Sequence, residues 1–303
     1  MIRHWDDEPW VRHEHGDLRC ERRRLCSTAG APRAALSRYR IAPGCRPMPL
    51  HVHHDEEEIF FVLAGAGLSW QDDAVHEIGP GDLLVHRAQA EAHTLVAGPG
   101  EPLDVLAFSS GSATGLTTLP RAGVTWTGSR WLPPDAPHPF AAEPPAPELP
   151  PLRPRPPTIA ALRDVAPTTR AVGRVHHVRR DLGTAAGSVL SGCQHVEVPP
   201  GRFSSTRHCH SLEDEIFVVL AGGGSVLLGD EATPVRPGSI VYRPRATEVA
   251  HTFEAGDGGL TLLAYGTREP NDLCWYPDSS KLFFGGAGVI ARVEPLDYWD
   301  GEL

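Results

Sequence analysis

The sequence predicts an all-β chain made of two similar domains joined by a proline-rich linker. Three observations carry this expectation. The first is an internal repeat: the 17 residues from His51, HVHHDEEEIFFVLAGAG, match the 17 from His208, HCHSLEDEIFVVLAGGG, at 11 positions with an offset of 157. The second is composition, since 31 glycines and 30 prolines in 303 residues make the chain turn-rich, as all-β folds are. The third is that the apolar segments are short, rich in β-branched and aromatic residues, and bounded by Gly or Pro, with no long amphipathic helix among them.

In chain order, residues 1–30, with Trp5, Trp10 and the basic run Arg22-Arg23-Arg24, are read as an N-terminal arm whose basic run is a solvated face. Residues 31–130 form the first domain, with strands expected around Ser37–Ile41, Ile59–Leu63, Asp82–Val85 and Val105–Phe108. Residues 131–168 are the linker: 12 of the 25 residues from Pro133 to Pro157 are proline, which removes backbone donors and favours an extended surface course. Residues 169–303 form the second domain, with strands expected around Ile216–Leu220, Ser239–Tyr242 and Leu260–Tyr265. The 157-residue offset also pairs Pro43-Gly44 with Pro200-Gly201 and Pro80-Gly81 with Pro237-Gly238, and one inserted residue shifts His93-Thr94 to His251-Thr252.

The charge balance excludes some partners. With 28 Lys and Arg against 38 Asp and Glu the net charge is −10, which gives no electrostatic drive toward nucleic acid or an anionic membrane. No apolar run reaches the length of a membrane span, and the acidic start of the chain is unlike a secretory leader. Six scattered cysteines without CxxC spacing read as reduced thiols of a cytoplasmic protein.

Chemistry concentrates in the repeated motif. Successive strand residues point to opposite faces, so His51 and His53 share a face, as do His208 and His210. Glu58 and Glu215 open the next strand, and His93 and His251 follow beyond the Pro-Gly turn. Three imidazoles and a carboxylate form a site suited to Fe, Mn, Ni, Cu, Co or Zn that leaves positions open for substrate, water or dioxygen. Up to two divalent transition metals per chain are expected, held by His51, His53, Glu58 and His93 and by His208, His210, Glu215 and His251. The neighbouring acids Glu56, Glu57, Glu213 and Asp214 are read as solvated loop charges. His4, His13, His15, His138, His176, His177 and His195 are read as ordinary core or surface residues, and Cys209, between two histidines, points away from the metal.

These residues resemble a known superfamily. Gly44, His51, His53, Glu58 and Gly65, and again Gly201, His208, His210, Glu215 and Gly222, are similar to the first cupin motif, a Gly followed by H-x-H-x(3,4)-E-x(6)-G. The stretches from Pro80-Gly81 to His93 and from Pro237-Gly238 to His251 resemble the second. Six residues, against the usual five, separate the Gly from the first histidine, and no Asn follows His93 or His251 at the usual place. The resemblance implies a bicupin, two double-stranded β-helix jelly rolls, and the tail from Thr267 is similar to that of bacterial bicupins with no settled reaction.

Function is expected from the site, since the superfamily spans dioxygenases, decarboxylases, isomerases and non-enzymatic binders. The first reading is a dioxygenase-type oxygenase of a small-molecule substrate, with Glu58 or Glu215 doubling as catalytic base by resemblance to flavonol-cleaving cupins. Glu91 and Glu248 are alternative bases. The competing readings are a redox-neutral isomerase, lyase or decarboxylase, and a non-enzymatic binding protein. The second copy is the preferred active site, because Tyr242, Arg243 and Trp275-Tyr276 offer polar and stacking contacts. Duplication allows two face-to-face domains in one chain, so a monomer is viable and a homodimer possible.

Overall fold

A computed structural model describes residues 1–26, 34–112, 114–133, 139–144 and 148–302. The chain is nearly all β, and its α-helices among the described residues are single turns, Pro139–Ala142 and Leu182–Ala185. Parts of the proline-rich stretch, 134–138 and 145–147, lie outside the described residues.

Each domain has two layers. In the first, a seven-stranded sheet runs in the order Ile159–Ala161, Asp82–His86, Glu58–Ala64, Leu103–Ser109, Ala35–Ile41, Leu18–Cys26 and Val11–His15. It faces a three-stranded sheet of His93–Ala97, Gly67–Gln71 and Ala74–Ile78, and Phe60, Val62, Leu84, Leu95 and Val105 fill the space between. The second domain builds the same two layers with fewer breaks. Glu215–Leu228 and His251–Thr267 run through both, bending where their register shifts between Val219 and Ala221 and between Gly222 and Gly224. The shared Gly65 and Gly222 sit at this bend with φ of 80° and 71°. A Cβ on either would lie 2.3 Å from the Pro102 carbonyl oxygen or 2.1 Å from that of Gly259, so only glycine fits.

The strands are apolar on both faces because each sheet is covered twice. Phe60 and Val62 face the domain's own core, while Ile59 and Phe61 face the other domain. Ile59, Phe61, Leu106 and Phe108 merge with Ile216, Val218, Leu263 and Tyr265 into one buried cluster, and Phe108 stacks on Tyr265 with centroids 4.9 Å apart. The interface also contains a buried acid. Glu57 is fully buried and accepts hydrogen bonds from Ser188 Oγ and Ser191 Oγ, both at 2.5 Å, and from the Val189 N–H at 2.8 Å. Asp214, its counterpart, is also buried and accepts from the Arg245 N–H at 2.9 Å. Neither is the solvated loop charge expected from sequence.

The duplication reaches further than the motif. Ile2–His4 pairs with Ser239–Arg243 of the second domain, and Ile159–Ala161 pairs with Asp82–His86 of the first. Ile2 and Ile159 are themselves 157 apart, as are Val11 and Thr168 at the start of the next strand. Each copy thus opens with a strand that crosses to the other copy's sheet. The segment read as an arm is built of strands across its described residues, with Leu18, Cys20, Leu25 and Cys26 buried. The end of the stretch read as linker is its second-copy equivalent.

Removal of the interface acid takes away the acceptor shared by two buried hydroxyls and an N–H. Glu57→Ala is expected to destabilise the fold by about 1–3 kcal/mol in denaturant unfolding. Glu77→Ala, on an exposed side chain, should move the midpoint by under about 0.5 kcal/mol. Equal effects from the two would refute the clamp.

Candidate metal centres

In the first domain, backbone pairing aims the ligands. His51 and His93 form an isolated antiparallel bridge, each N–H donating to the other's carbonyl at 3.1 and 2.9 Å. His53 lies opposite Thr117, on a strand that follows the barrel. Glu58 opens its strand opposite His86. The Nε2 atoms of His93, His51 and His53 then stand 3.2, 3.5 and 3.7 Å from Glu58 Oε2. All four ligating atoms lie within 4.8 Å of one another.

The outward nitrogens show that this set fits a metal. His51 Nδ1 donates to the Pro49 carbonyl at 3.0 Å and His93 Nδ1 to that of Glu91 at 3.3 Å. His53 Nδ1 lies 2.6 Å from Glu56 Oε1 and 3.2 Å from Thr117 Oγ1. With Nδ1 turned outward to these acceptors, each Nε2 faces one carboxylate oxygen, which is how protein groups orient metal-binding histidines. Glu56, expected in solvent, is thus one of the groups orienting His53.

The electrostatics match. Burial alone would raise Glu58, but hydrogen bonds from His51, His53 and His93 hold it well below the usual carboxylate range. Burial and the neighbouring His86 and His51 push His93 well down, keeping it neutral. For His53, burial acts downward but Glu56 and Glu58 outweigh it and push it up to about 10. His86 stacks on His93 at 3.8 Å and bonds Glu91 Oε1 through Nδ1 at 2.7 Å. Glu91 therefore supports His86, and Glu248 is exposed.

The second domain repeats the bridge, His208 to His251, with N–H to carbonyl distances of 3.2 and 2.8 Å. His208, Glu215 and His251 come within 4.8 Å of one another, with His251 Nε2 3.1 Å from Glu215 Oε2. Buried His251 has no hydrogen-bond partner at Nδ1 among the described residues, and its Nε2 faces Glu215. His210 Nε2 is 3.7 Å from Glu215 Oε2, but the four expected ligands do not close into one group. His210 instead groups with His208 and Cys274, and its Nδ1 is held 2.7 Å from Asp272 Oδ2. Burial lowers His210 but Asp272 and Glu215 outweigh it and raise it to about 9, while burial and His251 depress His208 to about 4. Cys209 belongs to none of these groups, as strand alternation requires.

Two cavities open beside these clusters. The first, of about 370 Å³, reaches His51, His53, Glu56 and Glu58 and is walled by Tyr39, Met48, Trp131 and the N-terminal residues His13 and Arg22. The second, of about 240 Å³, reaches His208, Glu215 and His251 and includes His177 and Arg179. Tyr242 and Arg243 do not line it: Tyr242 is buried in the interface between the domains, and Arg243 donates to Thr247 Oγ1 and the Val249 carbonyl. Of the aromatic tail, Tyr276 stacks on His208 with centroids 5.9 Å apart. The sequence reading missed the cavity arginines. Their signal was present, since Arg22 and Arg179 are 157 apart.

Comparison with known proteins agrees with this architecture. The cupin domain family matches residues 37–109 and 194–264. A mutant of oxalate decarboxylase from Bacillus subtilis superposes with a TM-score of 0.60 at 16% identity, covering 90% of this chain and 78% of that one. Oxalate decarboxylase from Lactobacillus farciminis in its formate complex gives 0.59 at 17% identity, covering 88% and 86%. A further Bacillus subtilis oxalate decarboxylase structure, concerned with its Mn(II) centres, gives 0.59 at 16%, covering 90% and 78%. No curated protein matches the sequence. The two halves define a two-domain jelly-roll protein with candidate metal centres. The chain carries a cupin domain in each half, the arrangement of a bicupin.

No described helix is long and apolar enough to cross a membrane, and all six cysteines are free.

Binding of a metal must displace the proton that His53 carries below about 10 and His210 below about 9. Apparent affinity of the metal-free protein for Mn(II) or Zn(II) should therefore rise with pH, by up to about tenfold per unit, levelling off near those values. Calorimetry in buffers of different ionisation enthalpy should register proton release. A pH-independent affinity would show that the histidines are not displaced.

Proposed function

We propose that this bicupin is a metal-dependent enzyme that acts on a small carboxylate-bearing molecule in the first domain, by an oxygenase-type reaction. One observation carries the reading: a four-ligand cluster lies at the wall of a cavity that also contains an arginine with no carboxylate partner among the described residues. Arg22 donates through Nε and Nη2 to Ser37 Oγ, at 3.3 and 3.0 Å, and lies over the Tyr39 ring. A guanidinium held this way offers a charge-assisted bond to a substrate carboxylate. Arg179 recurs at the same place in the second cavity, bonded to Gln194 at the position of Ser37.

A redox-capable metal at His51, His53, Glu58 and His93 would supply the electron path between substrate and dioxygen. Both oxygen atoms entering the substrate balances the reaction without a separate reductant. The protein's part is to anchor the carboxylate at Arg22, enclose the reacting end against Tyr39, Met48 and Trp131, and orient His53 through Glu56. Six free thiols fit a reducing compartment such as the cytoplasm.

A second reading, redox-neutral decarboxylation, is favoured by Glu56. Its carboxyl lines the cavity outside the ligand set and is placed to exchange a proton with bound substrate. The likeness to oxalate decarboxylases over most of the chain supports the same reading.

Protein loaded with Fe, Mn, Ni or Cu is assayed for oxygen uptake and carbon dioxide release over small enolic, phenolic and keto-acid carboxylates. Oxygen uptake that His53→Ala abolishes supports the oxygenase, and release of carbon dioxide without oxygen supports the decarboxylase. Arg22→Leu should raise KM about ten- to hundredfold with little change in kcat. Silence with every metal would replace both readings with a binding protein.

A further inference from the structure

We infer that the second domain takes a thiophilic divalent cation, zinc in the first instance, with the Cys274 thiolate joining His208 and His210 as a ligand. The two copies therefore hold chemically different metals. This concerns the second domain alone and stands whether or not the first-domain site turns over a substrate.

The placement of Cys274 follows from backbone register. Cys209–His210 pairs antiparallel with Leu273–Tyr276, and His210 stands directly opposite Cys274. Directly opposed residues project to the same face with Cβ atoms about 4.5–5.5 Å apart. Cys274 is buried, and its Sγ lies within 4.8 Å of the ligating nitrogens of His208 and His210, which themselves meet within that limit. A buried thiol against two imidazoles is a zinc-type donor set.

The histidines are turned for this purpose. His208 Nδ1 donates to the Thr206 carbonyl at 2.8 Å and His210 Nδ1 is held 2.7 Å from Asp272 Oδ2, which leaves both Nε2 atoms toward the cluster. Asp272 is itself fixed by the Leu212 N–H at 2.8 Å and Ser211 Oγ at 3.2 Å. Tyr276 covers the group by stacking on His208. On the other side of His208, Glu215 and His251 complete a second triad, so a cation at His208 finds further donors from either direction.

The first domain has no thiol at the equivalent place. There the residue opposite His53 is Thr117, whose hydroxyl bonds the His53 ring from outside. The difference decides metal preference: imidazole and carboxylate suit Fe or Mn, whereas an added thiolate favours zinc. The second cavity reaches His208, Glu215 and His251 but neither His210 nor Cys274, so the sulfur side is closed to substrate. A structural rather than a turnover role follows for this centre. On binding, the thiol proton passes to solvent and the sulfur lone pair bonds the cation.

The test titrates metal-free, full-length protein with Co(II) and follows the near-ultraviolet thiolate-to-cobalt charge-transfer band. The expected band reaches the amplitude of one thiolate-bound cobalt per chain, is lost in Cys274→Ser, persists in Cys209→Ser, and is bleached by excess Zn(II). Zinc affinity at that site should fall by about tenfold or more in Cys274→Ser while the first site is unchanged. Zinc-edge X-ray absorption on wild-type protein carrying two equivalents of zinc, enough to fill both domains, requires no variant, and should show sulfur in the coordination shell. Absence of the band, its survival in Cys274→Ser, or a shell of nitrogen and oxygen alone would overturn the assignment.

Discussion

Each centre is organised by one backbone contact, the reciprocal pairing of His51 with His93 and of His208 with His251. Two N–H groups and two carbonyls satisfy one another across a narrow antiparallel bridge, which places the paired side chains on the same face. The next residue but one, His53 or His210, shares that face by alternation, and the glutamate that opens the following strand supplies the anion on which the imidazoles converge. Closing the barrel and assembling the site are thus one event. The charges depend on it as well, since a buried carboxylate stays ionised there only because three imidazoles surround it.

The second organising feature is that the domains share a core. A strand buried on both faces must be apolar at every position, and the run from Ile59 to Leu63 is so because Phe60 and Val62 serve one core and Ile59 and Phe61 the other. Within this interface the buried acid Glu57 is tolerated only because Ser188, Val189 and Ser191 of the second domain direct three donors at it. The exchanged strands at Ile2 and Ile159 tie the two sheets together from opposite ends. Together these contacts make the pair of jelly rolls one structural unit.

Duplication let the two sites diverge while the frame stayed constant. His53 meets Glu56 and Thr117, whereas His210 meets Asp272 and Cys274. The ligand strands are alike, and the difference comes from the segment after each barrel, which adds a small sheet against the ligand strand. One copy carries the larger cavity and a wholly nitrogen-and-oxygen donor set, while the other has a smaller cavity and a thiol nearby. The face on which Arg22 and Arg179 lie is common to both.

By itself the sequence determined the duplication and the all-β class, and it offered His51, His53, Glu58 and His93 with their second-copy counterparts as candidate ligands and Cys209 as a residue of the opposite face, because each rests on local period and spacing. The bend glycines were legible too, as a matched pair whose backbone tolerates no Cβ. What only the tertiary structure decided is which distant residues reach each site. Arg22 enters the first cavity because its strand joins the edge of the first sheet, and Cys274 meets His210 through a pairing across 64 positions of chain. Glu57 and Asp214 looked like loop charges because their partners come from other elements, which no local pattern encodes. Tyr242 looked like a site residue by its closeness in sequence to the barrel end, but its strand position turns it into the interface between the domains. A strand's period settles which side a residue faces; what stands on that side is set by sheet order, strand exchange and the packing of the second copy.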